Sequence, residues 1–67
     1  MREWLKKRRE ELNLSQQSVA DEIGIAQNYY SMIEQKERMP KMTIEMAQKL
    51  SKVLCVSIET ILENEKW

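Results

Sequence analysis

The chain has 67 residues and a mass of 8.0 kDa, the size of one small domain that buries only about 60% of the surface its unfolded form exposes. It contains no histidine and a single cysteine, Cys55. Ser/His and Cys/His nucleophilic pairs, His-ligated metal sites and an internal disulfide framework are therefore excluded. Eleven basic residues balance eleven acidic ones, against the basic excess that a nucleic-acid binder ordinarily carries.

No apolar run has membrane-spanning length, and MREWLKKRRE lacks the apolar stretch of a signal peptide. A cytoplasmic protein is expected, in keeping with one cysteine and a reducing compartment. The adjacent carboxylates Glu10 with Glu11 and Asp21 with Glu22 read as solvated helix faces. No acid, base and nucleophile set can be assembled, so neither an enzyme, a cofactor nor a metal is expected. The charge is nevertheless uneven. Arg2, Lys6, Lys7, Arg8 and Arg9 crowd the start, Lys36, Arg38 and Lys41 cluster mid-chain, and Glu59, Glu63 and Glu65 make an acidic tail. A local basic footprint on a neutral body is compatible with this pattern.

In chain order, residues 2–12 have helix-favouring composition, with Trp4, Leu5 and Leu12 on one side. Asn13 tolerates the left-handed conformation that ends a helix. Ser15 is a good N-cap for a second helix, in which Val19, Ala20 and Ile23 recur at helical spacing. Gly24, the only glycine, follows, and a third helix runs from about Ala26 to Gln35 with Ile33 and a tyrosine on its apolar stripe. KERMPK is a polar loop punctuated by Pro40. Thr43 caps a fourth helix with the stripe Ile44, Ala47, Leu50, Val53 and Leu54, and Ser57 caps a short fifth with Ile58, Ile61 and Leu62. The β-branched clusters all fall within helical periods, so the fold is all-α, a single compact five-helix domain over 1–67.

The second and third helices are separated by only a few residues around Gly24. A connection that short must bend sharply, and glycine reaches positive φ without a Cβ clash. Ala20, four residues earlier, is small enough to let the two helix axes approach closely. Two helices crossing steeply about a tight turn are a helix-turn-helix, here over about 15–35. LSQQSVADEIGIAQNYYSMIEQ, residues 14–35, resembles the helix-turn-helix of the phage repressor and Cro-like transcriptional regulators. LSQ opening the second helix, the alanine and glycine at their offsets, and YYSMIE closing the third all match, and the resemblance extends to the five-helix order and the closing VLCVSIETIL. Four places depart from the family pattern. Arg8 stands where an apolar residue is common, Ala26 where Ser or Thr caps the third helix, and Cys55 where a glycine ends a helix. The loop after Glu34 lacks the common Asn-Gly.

The resemblance implies double-stranded DNA as the partner, with the third helix in the major groove and no small-molecule ligand. Base contacts then fall to Ala26, Gln27, Asn28 and Met32. Glutamine and asparagine each set a donor beside an acceptor, the pattern that pairs with adenine, while Ala26 and Met32 suit thymine methyls, so the half-site should contain A·T pairs. Phosphate contacts fall to Gln16 at the start of the second helix, to Tyr29, and to Lys36, Arg38 and Lys41 in the loop. Arg9 pairs with Glu34 in the family, a structural role shared here with Ala20 and Gly24. Family members usually dimerise to read two half-sites, which makes Ile61, Leu62 and Trp67 the candidate homodimer interface. The function implied is a sequence-specific transcriptional regulator, a repressor. The rival readings are an antitoxin and a protein-interaction module on the same fold, the latter favoured by net neutrality.

Overall fold

The computed structural model describes residues 1–65, so the expected interface residue Trp67 lies outside the described residues. Five helices follow one another: α1 Glu3–Glu11, α2 Gln16–Ile23, α3 Gln27–Glu34, α4 Ile44–Leu54 and α5 Ile58–Glu65. Their starts are set by local chemistry. Ser15 Oγ accepts the Ser18 N–H at 3.0 Å, Thr43 Oγ1 that of Met46 at 3.1 Å, and Ser57 Oγ that of Thr60 at 3.1 Å. Each takes up one of the N–H groups that a helix leaves without an internal partner. Ala26 precedes α3 in extended conformation with no side-chain cap, as its methyl group dictates.

The helix ends share one device. Asn13, Gly24, Lys36 and Cys55 all adopt positive φ, at 57°, 78°, 63° and 55°. After α1, α2 and α3 the next two N–H groups fold back in a Schellman pattern, as when Gly24 donates to Asp21 at 3.3 Å and Ile25 to Ala20 at 3.0 Å. Only one of the four positions carries the residue that reaches this region without strain. α2 packs on α3 and α4, α4 on α5, and α1 on α3. Val19, Ala20, Tyr30, Ile33, Leu50 and Leu54 lie fully buried between them.

Sequence periodicity placed most of this core and misplaced a few side chains. Ile44 is 42% exposed, because the face that α4 buries runs through Met46, Ala47, Leu50 and Leu54. At 100° per residue, Ile44 projects roughly 100° from the centre of that face. Met42, which follows the KERMPK loop and belongs to no apolar stripe in the sequence, is 1% exposed and joins the core just before α4. Ile61 has no exposed area within the single chain, so it serves the core and has no surface to offer a second copy.

Two cations expected in the surface footprint are engaged elsewhere. Arg2 is buried. Arg8 donates from Nε to the Leu54 carbonyl at 2.9 Å and from Nη2 to that of Cys55 at 3.4 Å. A positive group on the last carbonyls of α4 suits the negative end of the helix dipole. Arg8 thus anchors α1 by hydrogen bonds where an apolar side chain would do so by burial.

Candidate nucleic-acid interface

The α2–α3 connection puts Gly24 at φ 78°, ψ 33°, and a Cβ built there would meet no atom within 4 Å. Backbone geometry, then, and not crowding, selects glycine. The turn leaves Ala26, Gln27, Asn28 and Tyr29 exposed at the start of α3, with Tyr29 at 38%. The following tyrosine, Tyr30, is fully buried. Met32, one turn on, is half-buried. Of the residues expected to meet base edges, three are therefore open to solvent and the fourth is partly covered.

Behind this edge lies a buried polar network centred on Glu34, which is 1% exposed. Its carboxylate accepts from Arg9 Nε at 2.7 Å, from the Tyr30 hydroxyl at 2.6 Å and from Gln16 Nε2 at 3.1 Å. Arg9 also donates from Nη1 to the Leu14 carbonyl at 2.8 Å. Burial works against the Glu34 charge, but the hydrogen bonds from Arg9, Tyr30 and Gln16 outweigh it and hold the carboxyl below its ordinary range. The bond to Glu34 raises Arg9, and burial followed by the same carboxylate pushes the Tyr30 phenol well above its usual value. Glu34 is ionised and Tyr30 neutral at neutral pH.

The network reaches the surface through Gln16. Its Nε2 is committed to Glu34, which fixes the amide so that Oε1 faces outward and accepts from Gln27 Nε2 at 3.2 Å. The structure thereby joins the start of α2, expected to meet phosphate, to the start of α3, expected to meet bases. Lys36 and Arg38 stand exposed in the loop after α3, and Lys41 is exposed beyond Pro40. The loop is pinned by Glu37 and Arg38 N–H groups donating to the Met32 carbonyl at 2.9 and 3.3 Å. Leu62, the remaining expected interface residue, is half-buried on α5.

A short turn with left-handed glycine, an exposed start to α3 and a buried Arg–Glu pair behind it together describe one motif. The family model described as helix-turn-helix matches residues 5–61. The chain belongs to the Cro/C1-type helix-turn-helix family. No curated protein and no solved structure matches it. Family membership makes this helix-turn-helix domain a DNA-binding regulator. Among the described residues no helix is long and apolar enough to cross a membrane, and no cluster of His, Cys, Asp or Glu is placed to hold a metal ion.

Sequence reasoning missed two residues whose side chains close behind the loop after α3. Arg2 and Glu65 form an ion pair at 2.9 Å, with side chains 0% and 3% exposed. The partners lie 63 residues apart, and no local pattern marks either one. What distinguished Arg2 from its basic neighbours was only its place before the first helical turn.

Proposed function

We propose that this domain binds double-stranded DNA sequence-specifically and represses transcription by occupying its site. The observation that carries the reading is the solvent-facing start of α3, where Gln27 and Asn28 stand clear of the body while Glu34, at the centre of the buried network, holds the other end of the helix in place. A rigid helix with amides at its exposed N-terminal turn has the shape and chemistry to enter a major groove and read A·T pairs. Gln16 at the start of α2, Tyr29, and Lys36, Arg38 and Lys41 in the loop then meet the flanking phosphates.

Specificity from one such module is low, so the domain acts as a homodimer on two half-sites about one DNA turn apart. Among the described residues, the half-covered Leu62 and Ile58 on α5 supply apolar surface for that contact. Net neutrality is no obstacle, because the charge is unevenly spread: Glu59 and Glu63 lie on α5, whereas Lys36, Arg38 and Lys41 cluster between α3 and α4.

The test is a titration against mixed-sequence DNA at two salt concentrations, followed by selection of bound sequences from a random pool. Salt-dependent binding and an A·T-containing consensus support the proposal. Absence of any salt-dependent binding would favour a protein-interaction module.

A further inference from the structure

The loop between α3 and α4 is costly to hold. Lys36 and Met39 sit at φ 63° and 52°, a region that strains a residue carrying a Cβ and persists only where the surroundings impose it. One side chain from the other end of the sequence does much of the imposing. Arg2 Nη1 donates to the Ile33 carbonyl at 2.6 Å, and Nη2 donates to the carbonyls of Met39 and, at 3.3 Å, Pro40. The Arg2 backbone N–H donates to the Glu34 carbonyl at 2.8 Å. One guanidinium thus spans the last turn of α3 and the far end of the loop.

What keeps that guanidinium in place is α5. Arg2 Nε donates to both Glu65 carboxylate oxygens at 3.0 and 2.9 Å, and Trp4 Nε1 donates to Oε2 at 2.7 Å. The side chains of both ions are almost wholly out of solvent, at 0% and 3%. A buried cation left without its partner is not tolerated and must move. Both residues also lie outside the stretch that the family model matches, residues 5–61.

We propose that Arg2 is a positioning residue for the DNA-facing loop, latched by Glu65, so that the end of α5 sets how Lys36 and Arg38 are presented to phosphate. The inference rests on the DNA-binding reading above for its functional half and on the geometry alone for its structural half. It makes any event that disturbs the end of α5 a means of weakening DNA binding without touching the base-reading edge.

The test uses the full chain and the variant Glu65→Gln, which keeps the shape and removes the charge. Two measurements are made once circular dichroism shows the variant folded. Hydrogen exchange should accelerate about tenfold at the Lys36, Glu37 and Arg38 amides, while the Leu14 and Ile25 amides, which close other helix ends, keep their rates. Affinity for selected and random DNA should fall together, with a salt-dependence slope reduced by about one to two units. If Glu65→Gln does not fold, the double variant Arg2→Met with Glu65→Gln removes both charges and takes its place. Unchanged exchange at 36–38 would overturn the latch. Faster exchange with an unchanged salt slope would overturn its positioning role. Wild-type protein with no salt-dependent binding would overturn the function itself, a result distinct from either.

Discussion

The Tyr30 hydroxyl donates to the Glu34 carboxylate at 2.6 Å, one turn along the same helix, and both side chains are buried. With Arg9 on the other side, this makes Glu34 a charge held in place inside the domain, and it gives stability a definite pH dependence. The folded carboxyl titrates below its ordinary value, so in acid the unfolded chain binds the proton first. The contribution of Glu34 is complete above the unfolded value of about 4.3 and is lost as pH falls through the lower folded value. One such group tilts unfolding free energy by up to about 1.4 kcal/mol per pH unit in that window. Urea unfolding between pH 3 and 7, roughly the window spanned by carboxylate titration, should show this slope flattened in Glu34→Gln. An identical acid limb in the variant would mean that other carboxylates govern it.

Gly24→Ala isolates backbone strain. No atom lies within 4 Å of the added Cβ, and φ is 78°, so the cost is conformational, about 1–2 kcal/mol. Gly24→Asn should recover part of that loss, because asparagine enters the left-handed region more readily. Thermal unfolding of both variants checks the order. A loss well above this range for alanine would point to crowding that the geometry does not contain.

Cys55 presents the converse case. It holds φ 55° at the end of α4 and is exposed, so Cys55→Gly relieves strain without removing buried surface. The gain, after the entropy that glycine loses on folding, is about 0.5–1 kcal/mol of stability. A rise in melting temperature with unchanged circular dichroism is the expected result, and a fall would show that the thiol makes a contribution of its own.

These examples indicate what could be read from the chain and why. Helix starts at Ser15, Thr43 and Ser57, and the turn at Gly24, depend on chemistry within three or four residues, and the sequence displays that chemistry directly. The role expected for Ala26, Gln27 and Asn28 came from the family resemblance, and their exposure at the start of α3 is compatible with it. The places of Arg2 and Arg8 were not legible. Each is one cation in a basic run, and its burial or exposure is decided by acceptors more than 30 residues away, in the loop after α3, in α5 or at the end of α4. Met42 was hidden for a related reason: placed between Lys41 and the cap residue Thr43, it falls outside every helical period, while its side chain fills the core. Caps are local and legible, whereas long-range electrostatic closure is neither.

Arg8 yields a prediction of that second kind. Its side chain is 32% exposed, and its ion pair with Glu11 at 3.6 Å is a solvent-screened contact of little worth. The bonds to the α4 carbonyls are the substantial part. Arg8→Met keeps the stem and loses those bonds, at a cost of about 0.5–1.5 kcal/mol. Glu11→Ala should leave stability almost unchanged. Equal losses in the two variants, measured by urea unfolding, would transfer the credit to the ion pair.

The hydrogen bond from Gln27 to Gln16, 3.2 Å long, predicts non-additive effects on DNA binding. Gln16 is already held by Glu34, and it in turn fixes the Gln27 amide at the exposed start of α3. Gln27→Ala should lower the preference for selected over random DNA, by about 1–3 kcal/mol if Gln27 makes a two-bond contact with adenine. If Gln16 meets phosphate as proposed, Gln16→Ala should weaken both DNAs, and it should also erode part of the preference because Gln27 is no longer fixed. The double variant should therefore lose less preference than the sum of the single losses, since neighbours sharing one network couple. Competition titrations at one salt concentration measure all four corners of the cycle. Strict additivity would show that Gln27 reads its base without help from Gln16, and that the contact between the two helices is packing alone.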